Sequence, residues 1–248
     1  MDRSDPAPQG MRTRRWRMAS GLVMLGYVSM HLLNHMLGIV SLPLAERGLR
    51  LSIALWHSTP GTVALYGAFA VHFSLALRTV YQRRHWQLPP TEWVRLWSGF
   101  SLPLLLIGHA VNTRVAASFY GFEPNYEKII AGLIAGGSQG WQIALLAPGW
   151  LHGGLGLWIA LRHVALMRRI KPLLIGVLIA VPLLSALGFL RMSRDVEARE
   201  AIVSAHAVEQ KRRAAPLAQW REVLMAGYLL TLGGAFAAGR WRAAYMPE

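Results

Sequence analysis

The chain contains no cysteine. That excludes disulfides, thiolate metal sites, iron–sulfur clusters held by this chain, and covalent haem attachment of the c type. Acidic residues are few, 12 Asp and Glu against 26 Lys and Arg, which leaves a net charge of +14 over 248 residues. Also missing are a Gly-rich phosphate loop, a Ser/His/Asp grouping and any internal repeat. The basic residues are scattered among short segments and form no single patch, so nucleic acid is not an expected partner.

Apolar residues, by contrast, make up 54% of the chain. They come in blocks of about 20, the length that crosses a hydrocarbon core of roughly 30 Å. Six such blocks fall at about 18–40, 60–81, 97–117, 142–166, 172–190 and 221–239. The first is too long, and lacks the small-residue cleavage site, to be a removable signal peptide. The expected fold class is all-α: a polytopic bundle of six transmembrane helices in a lipid membrane. A cytoplasmic N-terminus places "RTRRWR" (12–17), "RRHW" (83–86), "RRIK" (168–171) and "GRWR" (239–242) all inside. Both termini are then cytoplasmic. The outer loops after the first and third helices carry only Arg47, Arg50 and Lys128. The segment after the fifth helix breaks this pattern with mixed charge at helical spacing, which suggests a folded amphipathic excursion. The expected divisions are a basic cytoplasmic N-terminus (1–17), a five-helix bundle (18–190), the extracytoplasmic excursion (191–220), and a sixth helix with a cytoplasmic end (221–248).

The residues that carry chemistry are histidines, nine in all. His57, His85, His163 and His206 fall at helix ends or in loops, where a solvated or interfacial role is ordinary. His31, His35, His72, His109 and His152 lie well inside the first four blocks. Ionisable side chains at that depth are costly and point to function. Neutral imidazoles bonding between helices are the plainer alternative, but one mid-membrane histidine on each of four successive helices is hard to explain that way. At 1.5 Å per residue from the cytoplasmic ends, His31 and His109 each lie about 21 Å up and His72 about 16 Å. His152 lies about 24 Å up, or about 15 Å if Arg162 marks the interface. These depths allow two pairs without deciding which helix pairs with which. A neutral imidazole offers one lone pair to a metal while its other N–H is fixed by a carbonyl or hydroxyl. Two imidazoles from opposite helices, clamping a flat macrocycle, give a six-coordinate b-type haem. Zinc fits less well, since it favours a compact tetrahedral cluster and these helices offer no Asp or Glu at that depth. Gly26, Gly38, Gly67, Gly108, Gly153, Gly154 and Gly156 flank the histidines, either to admit a porphyrin face or for ordinary helix packing.

At this point the residues resemble a known family, the five-helix di-haem cytochrome b anchor of succinate:quinone and fumarate reductases, over roughly 18–190. "MHLLN" (30–34) resembles its first-helix motif, and His72 matches its second-helix ligand. "GHAVNTRVAASFYGFEPNYEKIIAGL" (108–133) is similar to the third ligand helix and the loop after it, and "LHGGLGLW" (151–158) to the motif at the last ligand. The histidine spacings of 41, 37 and 43 residues are also the family's. The resemblance implies two haem b groups, held by His31 with His109 towards the outer face and by His72 with His152 towards the cytoplasm. It also implies a quinone or quinol (menaquinone or ubiquinone) and a place in the bacterial inner membrane. His35, one turn beyond His31, then reaches a haem propionate or a quinone; the two exchange roles in the alternative reading. Arg114 suits a propionate, because a buried guanidinium needs an anion; otherwise it snorkels to the outer interface.

A sixth helix departs from that family and resembles the membrane domain of certain bacterial class III adenylate cyclases. Three functions stay open. The chain is a redox-sensing input module for a cytoplasmic cyclase, the electron-transfer anchor of iron–sulfur and flavoprotein subunits, or a haem-free membrane scaffold. It has no catalytic domain of its own in any of these, since nothing after Arg242 suits a nucleotide. A homodimer is compatible with all three.

Overall fold

Prolines and small polar side chains set most of the helix starts. A computed structural model describes residues 9–246, and among these every regular element is helical. Helix α1 (Gln9–Leu37) is followed by α2 (Leu42–Trp56), where Pro43 stands in the first turn and Ser41 Oγ accepts the Leu44 N–H at 3.3 Å. Helix α3 (Thr59–Gln82) starts the same way, with Pro60 and a 3.1 Å bond from Gly61 N to Ser58 Oγ. Such caps satisfy N–H groups that the first turn leaves orphaned. Helix α4 (Pro90–Ala110) runs through a π-helical turn (Val111–Val115) into α5 (Ala116–Phe119). Helix α6 (Tyr126–Ala135) is capped by Asn125, whose Oδ1 accepts Lys128 N at 2.7 Å. Helices α7 (Gln139–Leu145) and α8 (Pro148–Leu161) follow one another across a break at Pro148, which cannot donate to the preceding turn. After α9 (Ala165–Arg169) come α10 (Lys171–Glu197) and α11 (Glu200–Tyr245), the latter the longest helix among the described residues.

Five stretches among the described residues are long and apolar enough to cross a membrane: Thr59–Gln82, Pro90–Phe119, Gln139–Leu161, Lys171–Glu197 and Lys211–Tyr245. Only 6% to 17% of each apolar window is buried inside the protein, so their apolar faces point outwards. Apolar surface on that scale belongs in lipid, not water. The chain is therefore a multi-pass, all-helical membrane protein. The first expected span is not among the five, because His31, Asn34 and His35 lower the hydropathy of α1. Residues 191–220 hold the end of α10 and the start of α11, so the expected excursion consists largely of two helix extensions. Residues 1–8 and 247–248, parts of the two expected terminal segments, lie outside the described residues.

The best-packed region joins α2, α6 and α10 at one end of the bundle, around Leu42, Ala45, Tyr126, Ile130, Phe189 and Met192. A smaller core joins the π-turn and α5 to α11 through Val111, Ala116 and Leu217. Helices α1 and α10 cross with backbones in contact. A Cβ at Gly188 would stand 2.0 Å from the His35 carbonyl oxygen, and one at Gly38 would stand 2.7 Å from Gly188 O. Small residues permit this approach, and the buried Ser185 Oγ shares its one hydrogen between Val181 O at 2.7 Å and Leu32 O, across the crossing, at 2.9 Å. Gly38 is thereby a packing glycine. Chain direction places the start of α1, the end of α3 and the end of α11 together: Arg17 bonds Thr79 Oγ1 at 2.8 Å, and Arg242 bonds Gln82 O at 2.8 Å.

Gly188→Ala should lower the thermal midpoint of the detergent-solubilised protein by several degrees, reflecting an overpacking cost of roughly 1–3 kcal/mol. Gly176→Ala, where a Cβ meets nothing within 4 Å, should leave it unchanged. Equal midpoints for the two variants would mean that the α1–α10 crossing is loose.

Candidate functional site

The four deep histidines stand in two facing pairs. His31 on α1 meets His109 at the end of α4, with ring centroids 5.8 Å apart and planes at 74°. His72 on α3 meets His152 on α8 at 6.4 Å and 80°. The pairs occupy different levels. Ser20, which touches His72, precedes His31 by 11 residues, and Ser98, which touches His152, precedes His109 by 11. That is about 16 Å along either helix.

The tautomers follow from proton counting. Ser20 Oγ donates its one hydrogen to Trp16 O at 2.7 Å, so at 3.3 Å from His72 Nδ1 it acts as the acceptor. Ser98 Oγ lies 3.0 Å from His152 Nδ1 and 3.1 Å from Arg95 O, so its one hydrogen can serve either partner. His109 Nδ1 donates to Gln142 Oε1 at 2.8 Å. At His72 and His109 Nδ1 then carries the proton and Nε2 keeps its lone pair. That is the state in which an imidazole ligates a metal, with its other nitrogen tied down. A metal lies about 2 Å from a ligating nitrogen and the ring centre roughly 1 Å further, so two rings clamping one metal stand roughly 6 Å apart. Both pairs are spaced accordingly. Among the described residues no three or more His, Cys, Asp or Glu gather as a site for a bare ion.

His35 belongs to neither pair. It is 8% exposed and packs edge-on against His31, Tyr126 and Phe189, with centroids at 4.8, 5.3 and 5.9 Å. Its Nδ1 and the Tyr126 hydroxyl are buried without a hydrogen-bond partner among the described residues, as is Trp56 Nε1, whose ring meets Tyr27 beside His31. Burial pushes the pKa of the Tyr126 hydroxyl up, and the nearby Glu46 carboxylate adds to the effect. Unpaired buried polar atoms are costly, and three of those among the described residues lie around His31 and His35.

Arg114 lies in the π-turn after His109. Its guanidinium donates to Thr62 Oγ1 at 2.8 Å and lies 5.9 Å from the centre of the Tyr66 ring. Arg17 and Arg95 stand near the other pair and within electrostatic reach of one another. No sequence feature marked them beyond their place at helix ends. Ser20, Ser98 and Gln142 were equally hidden, since a serine in an apolar helix reads as a small packing residue. Gly21 and Gly99 abut the second histidine pair: a Cβ there would lie 3.5 Å from His72 Cε1 and 2.9 Å from His152 Cε1. Gly26, Gly67 and Gly156 face open space, whereas a Cβ at Gly153 or Gly154 would meet Leu25 or Leu178. His57, His85 and His163 are exposed near helix ends, and the His206 side chain lies outside the described residues.

No family model, curated protein or solved structure matches this chain. The side-chain geometry carries the functional reading.

In membranes, diethyl pyrocarbonate should modify His57, His85 and His163 first, read by peptide mass spectrometry. His35 and His109 should react at least tenfold more slowly, because their nitrogens are enclosed. Uniform labelling of all sites would contradict the packing around both residues.

Proposed function

We propose that this chain is a di-haem b membrane anchor that reacts with quinone and reports the redox state of the quinone pool to a cytoplasmic partner such as an adenylate cyclase. The observation that carries the reading is the pairing of His31 with His109 and of His72 with His152, with centroids 5.8 and 6.4 Å apart, together with the Nδ1 hydrogen bonds donated by His72 and His109. Their Nε2 lone pairs are reserved in two facing pairs of imidazoles. Such pairs suit a metal whose remaining ligands come from a macrocycle, and they suit poorly an ion that needs three or four protein ligands. His31 and His109 would hold one haem, and His72 and His152 the other. When bound, the group supplies a one-electron change of charge at its iron.

The chain's own residues do the rest. Ser20, Ser98 and Gln142 hold the ligand rings in orientation. Arg17 and Arg95 offer positive charge to carboxylates at one level, and Arg114 does so at the other. His35 and Tyr126 present polar atoms beside the His31 pair, where a quinone headgroup would find a donor. Helix α1 crosses the membrane as a sixth span, and its low hydropathy is a consequence of the histidines it carries. The distribution of arginines favours a cytoplasmic position for both chain ends, in a bacterial inner membrane.

Helix α11 supports the sensing role over a purely respiratory one. It touches the neighbourhood of both pairs. Phe73, next to His72, packs on Tyr228 at 5.6 Å, and Tyr228 Oη donates to Phe100 O at 2.6 Å. The Arg221 side chain lies 4.0 Å from a Cβ placed on Gly108, next to His109. A change of charge between the histidines acts on this helix through few intermediates.

A pyridine haemochrome assay on the purified chain should find about two haems per polypeptide. His72→Ala and His152→Ala should each remove one spectral component, about half of the b-type absorbance. His31→Ala and His109→Ala should remove the other half, while His35→Ala keeps both and shifts a midpoint potential. Haem-free, well-folded protein would leave only the scaffold reading. Loss of the same component from His72→Ala and His109→Ala would break the pairing.

Ser98→Ala and Gln142→Leu should weaken haem retention at their respective pairs by roughly tenfold, the usual cost of releasing a ligand's outer hydrogen bond. Removing residues 217–248 should leave both haems in place and abolish redox regulation of a fused or partner cyclase. Equal cyclase activity with quinol-reduced and oxidised full-length chain would overturn sensing. Copurifying iron–sulfur and flavoprotein subunits would then favour the respiratory anchor.

A further inference from the structure

A groove in two adjoining parts, of about 650 and 380 Å³, runs between the N-terminal turns of α1 and the last turns of α3. Thr13, Leu75 and Arg78 line both parts. The rim is cationic. Arg12 joins Arg78 in the larger part, and Arg14 and Arg17 join it in the smaller. No Asp or Glu is among the described lining residues. Arg17 is already engaged, with bonds to Leu75 O at 3.3 Å and Thr79 Oγ1 at 2.8 Å. Arg12, Arg14 and Arg78 are exposed, and Arg14 also donates to Ala160 O at 3.3 Å. Below the rim the larger part continues along an apolar wall of Ala70, Val71 and Leu75, and Trp16, 60% exposed, stands at its edge.

The two surfaces call for different chemistry in one ligand. Guanidinium groups at this density recognise phosphate oxygens. The wall beneath them suits a hydrocarbon chain, and an exposed tryptophan prefers the level at which headgroup meets hydrocarbon. Inorganic phosphate would engage the rim and leave the wall bare. We propose that this groove binds an anionic phospholipid, with the phosphate among Arg12, Arg14 and Arg78 and an acyl chain against Val71 and Leu75. The lipid lies one helical turn from His72, beside the level of the second histidine pair.

The test uses the full chain purified in mild detergent and offered an equimolar mixture of phosphatidylglycerol, diphosphatidylglycerol and phosphatidylcholine. Retained lipid is counted by native mass spectrometry. The anionic lipids should be retained at least about fivefold over phosphatidylcholine. R12Q/R78Q should reduce that retention by about fivefold per charge removed. R168Q/R169Q, a basic pair outside the groove, should behave as wild type. Equal retention of phosphatidylcholine, an unchanged R12Q/R78Q, or an equal loss in R168Q/R169Q would each overturn the proposal. A parallel arm measures the thermal midpoint in millimolar inorganic phosphate without lipid. Stabilisation there, with no lipid retained in the first arm, assigns the arginines to a free anion and also overturns it. If R12Q/R78Q loses helical circular dichroism, R12Q alone at its exposed position is the variant that decides.

Discussion

An imidazole set between apolar helices has two ring nitrogens, and water is not there to satisfy either of them. Much of this bundle's interior is arranged around that requirement. His72 and His152 each meet a serine, and that of His72 spends its proton on the helix behind it and has only a lone pair to give. His109 meets a glutamine carbonyl from the following span. These contacts orient the rings, and the two members of each pair then stand at one level on neighbouring helices, the pairs themselves about 16 Å apart. Rotation of α1 or α4 by one residue, about 100°, would separate Ser20 from His72 or Ser98 from His152. Helix register and histidine chemistry thus constrain each other.

The two ends of the bundle solve different problems. Around His31 and His35 the protein supplies its own cover: α2 and α6 close over the spans, and Tyr126, Phe189 and Met192 belong to the larger of the two buried clusters among the described residues. There the unsatisfied groups are dry donors and acceptors. Around His72 and His152 cover is thinner, and the dominant features are positive charges, from Arg17 and Arg95 near the rings to Arg12 and Arg78 at the groove rim. Removing bulk is costly at the first end, as the Gly188 contact illustrates. Removing charge matters more at the second.

Much of this was legible in the residues alone, and the reasons are physical. Apolar blocks near 20 residues report spans because backbone in lipid has few options besides a helix. Histidines in those blocks are conspicuous because the solvation penalty makes them rare. Helices α2 and α6 left no comparable trace. They are too short to span, and amphipathic segments of that length read as loops between blocks. The π-turn after His109 follows from packing against α11 and has no composition of its own. Boundaries slipped where charge and geometry disagree: Glu92 and Arg95 look like the end of a loop, yet Pro90 starts the helix ahead of them. Which serine or glutamine meets which histidine depends on helix rotation and could not be read from spacing.

Helix α11 runs unbroken for 46 residues, about 69 Å, against a hydrocarbon core of roughly 30 Å. Pro216 lies inside it, where a missing N–H and a crowded preceding turn make bending cheapest. From there to Tyr245 the helix is a lever arm of roughly 44 Å. A tilt of about 5° at the proline moves the far end by roughly 4 Å, close to the width of a side chain. A small rearrangement beside Gly108 and His109, near the fulcrum, would be magnified at the far end, where the Arg242 bond to Gln82 O would pass it to the end of α3.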